Sequence, residues 1–221
     1  KISAFGRFQN LGKLHLNFKG AKEPVTEYSR VLDLSTGLAT VRYKRGGETF
    51  VREHFVSAPD EVIVTRITGP VSFTVEMDRK ERFKTETVGD RELLLSGHLN
   101  DGFDNDGVQY VARLRVAGGK VKAEGNKLVV TSDGEVLLLV AAATDYRGIA
   151  GRQLSDPLAA TTADLDKVAN KSFAELRAAQ KEDHEKFYKR VSLSLPQTEN
   201  STLPTDQRLA NYRNGAEDPA L

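Results

Sequence analysis

Residues 100–107, reading Asn, Asp, Gly, Phe, Asp, Asn, Asp and Gly, form the densest run of acidic and amide side chains in the sequence. Oxygen ligands at alternate positions ahead of a glycine are what a calcium loop presents. Counting back from Gly107 puts Asp106 and Asp104 in register, but Gly102 falls where a carboxylate should stand and no glutamate closes the loop downstream. Asparagine and aspartate also hydrogen-bond their own backbone, so the run reads instead as a solvated strand connection that makes its own turns. No metal is assigned to it.

His15, His54, His98 and His184 never stand two or four positions apart, so the spacing of a histidine metal pair is missing. His15 and His54 lie on polar or mixed strand faces and read as surface or sheet-pair residues. His184 sits on an apolar helical stripe beside Asp183 and reads as a packing histidine bonded to a linker carbonyl. Paired carboxyls doing acid–base work need one member kept protonated by an apolar setting. Glu48, Glu53, Asp60, Glu61, Glu76 and Asp78 stand mostly beside lysine or arginine, which lowers a carboxyl pKa. The pair Gly118 and Gly119 precedes a lysine-rich strand, so no helix N-terminus is there to hold an anion. Nucleophile elbows are absent as well.

The elements that carry these residues are mostly strands. Leu14, Leu16 and Phe18 alternate with Lys13, His15 and Asn17, the period of a half-buried strand. Further segments follow at 28–34, 38–44, 49–56 and 62–68, with Gly46 and Gly47 marking a hairpin and Pro59 a turn. Short connections argue antiparallel pairing of these five in sequence. Strands are also expected at 71–77, 92–97, 108–116, 120–123, 127–131 and 136–142, with turns at Gly118 and Gly119, at Gly125 and Asn126, and at Asp133 and Gly134. Residues 78–84 read as an exposed connection. The continuous apolar run 137–143 marks a central strand covered on both faces.

More than ten strands exceed a simple immunoglobulin-like sandwich and suit a mainly β, two-sheet antiparallel supersandwich. Past Tyr146 the period lengthens. Ser155 or Asp156 can cap a helix that carries Pro157 in its first turn. Phe173, Leu176, Gln180, His184 and Phe187 form the stripe of a second helix, opened by a capping box between Ser172 and Glu175. These helices should dock on one sandwich face or bridge it to a neighbour. Residues 191–195 read as a short strand, 197–202 as a linker, and 203–206 as the opening of one helical turn that is loose by itself.

With 221 residues the chain can bury a sizeable core unaided. Lysine and arginine number 32 against 31 aspartates and glutamates, so no charge field gathers nucleic acid or an anionic membrane, and no apolar run is long enough for a spanning helix. Without cysteine there is no disulfide framework and no thiolate metal site.

Six phrases in order resemble one family: LGKLHLNF, YSRVLDLSTGLATVRY, VREHFVSAPDEVIVTRI, GVQYVARLRVAGGKV, LLLVAAATDY, and HEKFYKRVSLSLP with LPTDQRLANYRNGAEDPAL. The sequence is similar to the N-terminal β-sandwich and linker of glycoside hydrolase family 95, the α-L-fucosidases. The resemblance implies a β-supersandwich over residues 1–150 with its front truncated. Residues 151–221 would then be a helical linker, a short strand and the start of a connector to a missing catalytic (α/α)6 barrel. It further implies that the parent enzyme hydrolyses a terminal α-linked L-fucose or L-galactose with inversion, without a cofactor. The catalytic acid and base belong to the barrel, so this chain alone is expected to be inactive. The family's setting implies a secreted, periplasmic or cell-surface bacterial location, with no signal segment in this chain.

The loop holding Asp101, Asp104, Asn105 and Asp106 is a candidate for lining the substrate entrance, as related sandwich-plus-barrel enzymes lend such loops. Two other readings stand beside this one: a free-standing carbohydrate-binding module, and the sandwich of a related disaccharide phosphorylase. Tryptophan, a common sugar-stacking residue, is absent, which leaves tyrosines such as Tyr43 and Tyr110 as the platform a binding module would need.

Overall fold

The computed structural model describes residues 10–20, 23–102, 105–146 and 156–221. Ten strands come first: β1 (Lys13–Phe18), β2 (Thr26–Asp33), β3 (Leu38–Arg45), β4 (Glu48–Ser57), β5 (Val62–Thr68), β6 (Val71–Asp78), β7 (Phe83–Val88), β8 (Glu92–Asn100), β9 (Asp106–Glu124) and β10 (Lys127–Thr144). Helices α1 (Pro157–Lys167), α2 (Phe173–Tyr188) and α3 (Thr205–Arg213) follow, with a 3-10 turn at Glu199–Thr202. Two compact units result, Lys1–Glu185 and Lys186–Leu221.

All pairings are antiparallel, in the order β2-β3-β4-β5-β10-β9-β8-β7, with β1 and β6 branching from β10. The branch makes the two layers. β9 runs along one edge of β10 throughout, whereas the other edge is shared: Leu128 to Ser132 pair with β6, and Glu135 to Ala141 pair with β5. The sheet therefore doubles over at this ribbon, and β1-β6 with the hairpin end of β9-β10 lie across the face of the larger layer. The expected meander of five strands holds only for β2 to β5, because β1 crosses to pair with β6.

Gly118 and Gly119 do not turn the chain, and neither do Asp133 and Gly134. β9 and β10 each pass through as one strand, with a register jump between Thr131 and Val136. The glycines take φ of 79° and 61°, and a Cβ on Gly118 would stand 2.6 Å from the Glu135 carbonyl oxygen. Positive φ serves a bulge as well as a turn, so the glycine pair alone does not tell them apart. The four segments expected here are two long strands. One strand was not expected: β7 begins inside the charged connection at Phe83 and pairs with β8.

Between the layers lies the main core, in which Phe73 and Val75 of β6 meet Leu93 and Leu95 of β8, Leu114 of β9, and Leu128 and Leu138 of β10. A second core lies on the opposite face of the larger layer, where Phe55, Val64, Leu137, Leu139 and Ala141 pack under Leu165, Val168, Phe173 and Leu176. Residues 137–141 thus alternate between two buried faces, which explains their unbroken apolar character.

Asp156 caps α1 by accepting from the Ala159 N–H at 3.0 Å, with Pro157 in the first turn. The Ser172 backbone N–H donates to the Glu175 carboxylate at 2.8 Å while the Glu175 N–H donates to Ser172 Oγ at 3.3 Å, completing the expected box. Residues 191–195 are not a strand: they carry no secondary structure, and Val191 and Leu193 are exposed. Alternation supplies a face but not a partner edge. The helical turn expected at 203–206 extends to the nine residues of α3.

Candidate functional site

The acidic loop joins β8 to β9 by the turns its residue types favour. The Gly102 N–H donates to Asn100 Oδ1 at 2.7 Å. Asp101 accepts from the Asn105 backbone and side-chain amides, both at 3.1 Å. Arg82 Nη1 then donates to the Asn105 carbonyl at 3.0 Å and to Asp106 Oδ1 at 3.4 Å, fastening the loop to the start of β7. Asp101, Asn105 and Asp106 are therefore brought together, with their oxygens engaged by the loop and by Arg82. Asp104 lies outside the described residues. Among the described residues no three histidine, aspartate or glutamate side chains converge on a metal position.

A denser polar arrangement, which the sequence did not single out, binds the helices to the strand turns. Asp33 closes the β2–β3 turn by accepting from the Ser35 N–H and from the Ser35 and Thr36 hydroxyls. Those hydroxyl bonds, outweighing burial, lower its pKa to about 2. α2 grips the same turn: Arg177 Nη1 and Gln180 Nε2 donate to the Thr36 carbonyl at 3.0 and 3.2 Å, and His184 Nε2 donates to the Leu34 carbonyl at 2.8 Å. His184 is thus the packing histidine expected, but its carbonyl belongs to this turn and not to the linker. Gly37, at φ 64°, leaves room for the contact, since a Cβ there would lie 3.1 Å from Gln180 Nε2.

The β4–β5 turn is held in the same way. Buried Asp60 accepts from Lys171 Nζ at 2.6 Å and from Ser57 Oγ at 2.8 Å, and Lys167 donates to the Pro59 carbonyl at 2.6 Å. Farther along the sheet, Glu92 bridges Arg113 and Arg115, each at 2.6 Å, and Arg115 reaches Asp166 of α1 at 2.7 Å. The alternation of Arg113 and Arg115 with buried Ala112, Leu114 and Val116 was the sequence signal for a charged row facing the helices.

The shifted carboxyls run against acid catalysis. Asp33, Asp60, Glu124, Glu175 and Asp218 are all held below their ordinary values, whereas a proton donor at neutral pH must be raised. Glu53 pairs with Arg66, whose guanidinium lies 3.9 Å over the Phe173 ring. Tyr43 and Tyr110 provide no sugar platform: both are buried, Tyr43 stacked on Phe50 at 5.1 Å and Tyr110 donating to the Arg82 carbonyl at 2.5 Å. Among the described residues this polar network ties the helices and their connection to the strand turns.

Comparison with known proteins gives two family matches along the chain. The family model described as glycosyl hydrolase family 65, N-terminal domain, matches residues 2–149. The model of the glycosyl hydrolase family 95 catalytic domain matches residues 172–221. Alpha-L-fucosidase 2 of Arabidopsis thaliana is 29% identical over 97% of this chain and 30% of its own length. Probable alpha-fucosidase A of Aspergillus oryzae is 24% identical over 90% of this chain and 29% of its own length. The chain thus spans about 30% of the length of the curated relatives it matches. In fold it is similar to a putative kojibiose phosphorylase from human microbiome, with TM-score 0.56 and 14% identity over 80% of this chain and 27% of that one.

Proposed function

This chain belongs to the glycosyl hydrolase family 65 N-terminal domain family, and we propose that it is the non-catalytic scaffold of an α-L-fucosidase-like inverting hydrolase. The observation that carries this reading is the double membership of α2. Its residues fall within the catalytic-domain match, yet Phe173 and Leu176 are buried in the second sheet core and Gln180 holds the β2–β3 turn. The sandwich and the linker helices set the position of the barrel, which supplies the acid and the water-activating base that inversion requires. Secretion or cell-surface display is part of the proposal, and fractionation of the source cells tests it.

The experiment is a comparison of two proteins on an aryl α-L-fucoside. The full-length protein should release the aglycone with inverted fucose, and residues 1–221 alone should release none. Fucoside cleavage by the isolated chain overturns the scaffold reading. Phosphate-dependent cleavage of a disaccharide by the full-length protein, with no fucosidase activity, would assign it to the phosphorylases instead.

The loop of Asp101, Asp104, Asn105 and Asp106 is proposed to border the sugar entrance. Asp106→Ala in the full-length enzyme should raise KM with little change in kcat, and an unaltered kcat/KM removes the loop from the site.

A further inference from the structure

The usual distribution of polarity is reversed in the second compact unit, Lys186–Leu221. Its large apolar side chains are on the outside: Val191, Leu193, Leu195, Leu203, Leu209 and Tyr212 are exposed, and neither apolar core contains a residue of the unit. The residue it buries is an aspartate, Asp218, and Arg208, Asn200 and Asn211 are half-buried. Arg208, in the first turn of α3, grips the Asp218 carboxylate with its guanidinium fork: Nε donates to Oδ2 at 2.8 Å and Nη2 donates to Oδ1 at 2.6 Å. None of the Asp218 side chain is open to solvent. Asn200 closes the same arrangement from the 3-10 turn. Its Oδ1 accepts from Asn211 Nδ2 of α3 at 2.9 Å, and its Nδ2 donates to the carbonyl of Glu217, the residue before Asp218, at 3.4 Å. Between the two anchors the chain is tied back to α3, with the Asn214 N–H donating to the Ala210 carbonyl at 3.2 Å and the Ala216 N–H to the Asn211 carbonyl at 3.0 Å.

We propose that Arg208 and Asp218 are positioning residues for the reaction of the natural-length protein: in place of an apolar core, their ion pair fixes the course of the chain from α3 to Asp218. The proposal rests on the scaffold reading for the identity of that reaction. Three features favour the role. Two parallel N–H···O bonds between planar groups fix an angle as well as a distance, which a single contact or a lysine ammonium cannot do. A carboxylate shielded from water cannot lose its cation without being left uncompensated, so the pair holds or the segment rearranges. The whole unit lies within the region matched by the catalytic-domain model, where a small misplacement is read as lost turnover more readily than as lost stability.

The test uses the natural-length protein on an aryl α-L-fucoside, with amide hydrogen exchange of α3 as a second readout. Arg208→Met and Asp218→Asn should lower kcat about tenfold or more while KM stays within about threefold, and should speed exchange of the Asn214 and Ala216 amides. Arg208→Lys keeps the charge but not the fork, so it should lose kcat as well; it carries the test if Arg208→Met does not fold. Arg213→Lys, at an exposed arginine of the same helix, should match the parent in both readouts. Parental kcat in Arg208→Lys and Asp218→Asn overturns the proposal, whether or not exchange is faster, and so does a loss confined to KM. Those outcomes leave the scaffold reading standing. That reading falls separately, if residues 1–221 alone cleave the fucoside.

Discussion

Lys171, in the connection between α1 and α2, donates to the Asp60 carboxylate of the β4–β5 turn at 2.6 Å, and Asp60 is almost wholly shielded from solvent. Burial pushes the Asp60 carboxyl up, but the bonds from Lys171 and Ser57 and the nearby lysine charges together outweigh it, so its pKa lies below the ordinary value. The pair then contributes stability above about pH 4, lost as pH falls through the folded pKa. Lys171→Met strands a buried carboxylate and should cost about 1–2 kcal/mol at pH 7, discounted for the solvent that reaches the ammonium. Urea unfolding at pH 7 and pH 3.5 checks this: the variant's deficit should shrink at the lower pH, and an equal deficit at both would remove the charge from the explanation.

Half-buried His54 shares a 2.9 Å hydrogen bond with buried Thr65 on the face of the larger layer opposite the helices. Burial, aided by the charge of Arg52, lowers its pKa below 6.5. The unfolded chain therefore takes up the proton first, so stability from this site is complete above about pH 7 and declines as pH is lowered through 6.5 toward the folded value. His54→Gln should flatten the difference in urea midpoint between pH 7.5 and pH 5.5. A slope identical to the parent's would show that another group causes it.

Leu176 and Phe187 share the apolar stripe of α2 but not its environment. Leu176 is fully buried in the second sheet core, whereas Phe187 is exposed. Leu176→Ala should lose about 2–5 kcal/mol, and Phe187→Ala should stay within about 0.5 kcal/mol. Chemical denaturation followed by circular dichroism separates them, and equal losses would refute the docking of α2 through its first turns.

Local chemistry was legible wherever a few neighbouring residues determine it. Alternation located β1 to the residue, Gly46 and Gly47 form the expected hairpin with φ of 57° and 82°, and Asp156 and Ser172 cap the helices they precede. In the acidic loop the mutual bonding of Asp101 and Asn105 follows from their side chains. What decides the third dimension was hidden. Nothing near Lys13 says that β1 pairs with β6, and Arg82, which pins the loop, stands 23 positions before Asn105. The contacts of Lys171 and Arg177 with the strand turns span more than a hundred residues, so their partners could not be read from spacing.

Gly97 stands where β8 passes closest to the start of β7. A Cβ at this position would collide with the Arg82 carbonyl oxygen and with the Tyr110 hydroxyl, the same two atoms that form a 2.5 Å hydrogen bond. Neither can retreat easily, because Tyr110 is buried in the interlayer core and the Arg82 carbonyl is main chain. Gly97→Ala should therefore cost about 1–3 kcal/mol through displaced packing, and Tyr110→Phe about 1 kcal/mol through the lost bond. Removing the hydroxyl relieves only half of the clash. In a Tyr110→Phe background the alanine should still cost most of its original penalty, since the backbone oxygen remains in its way. Full recovery of the urea midpoint in the double variant would instead assign the whole restriction to the tyrosine.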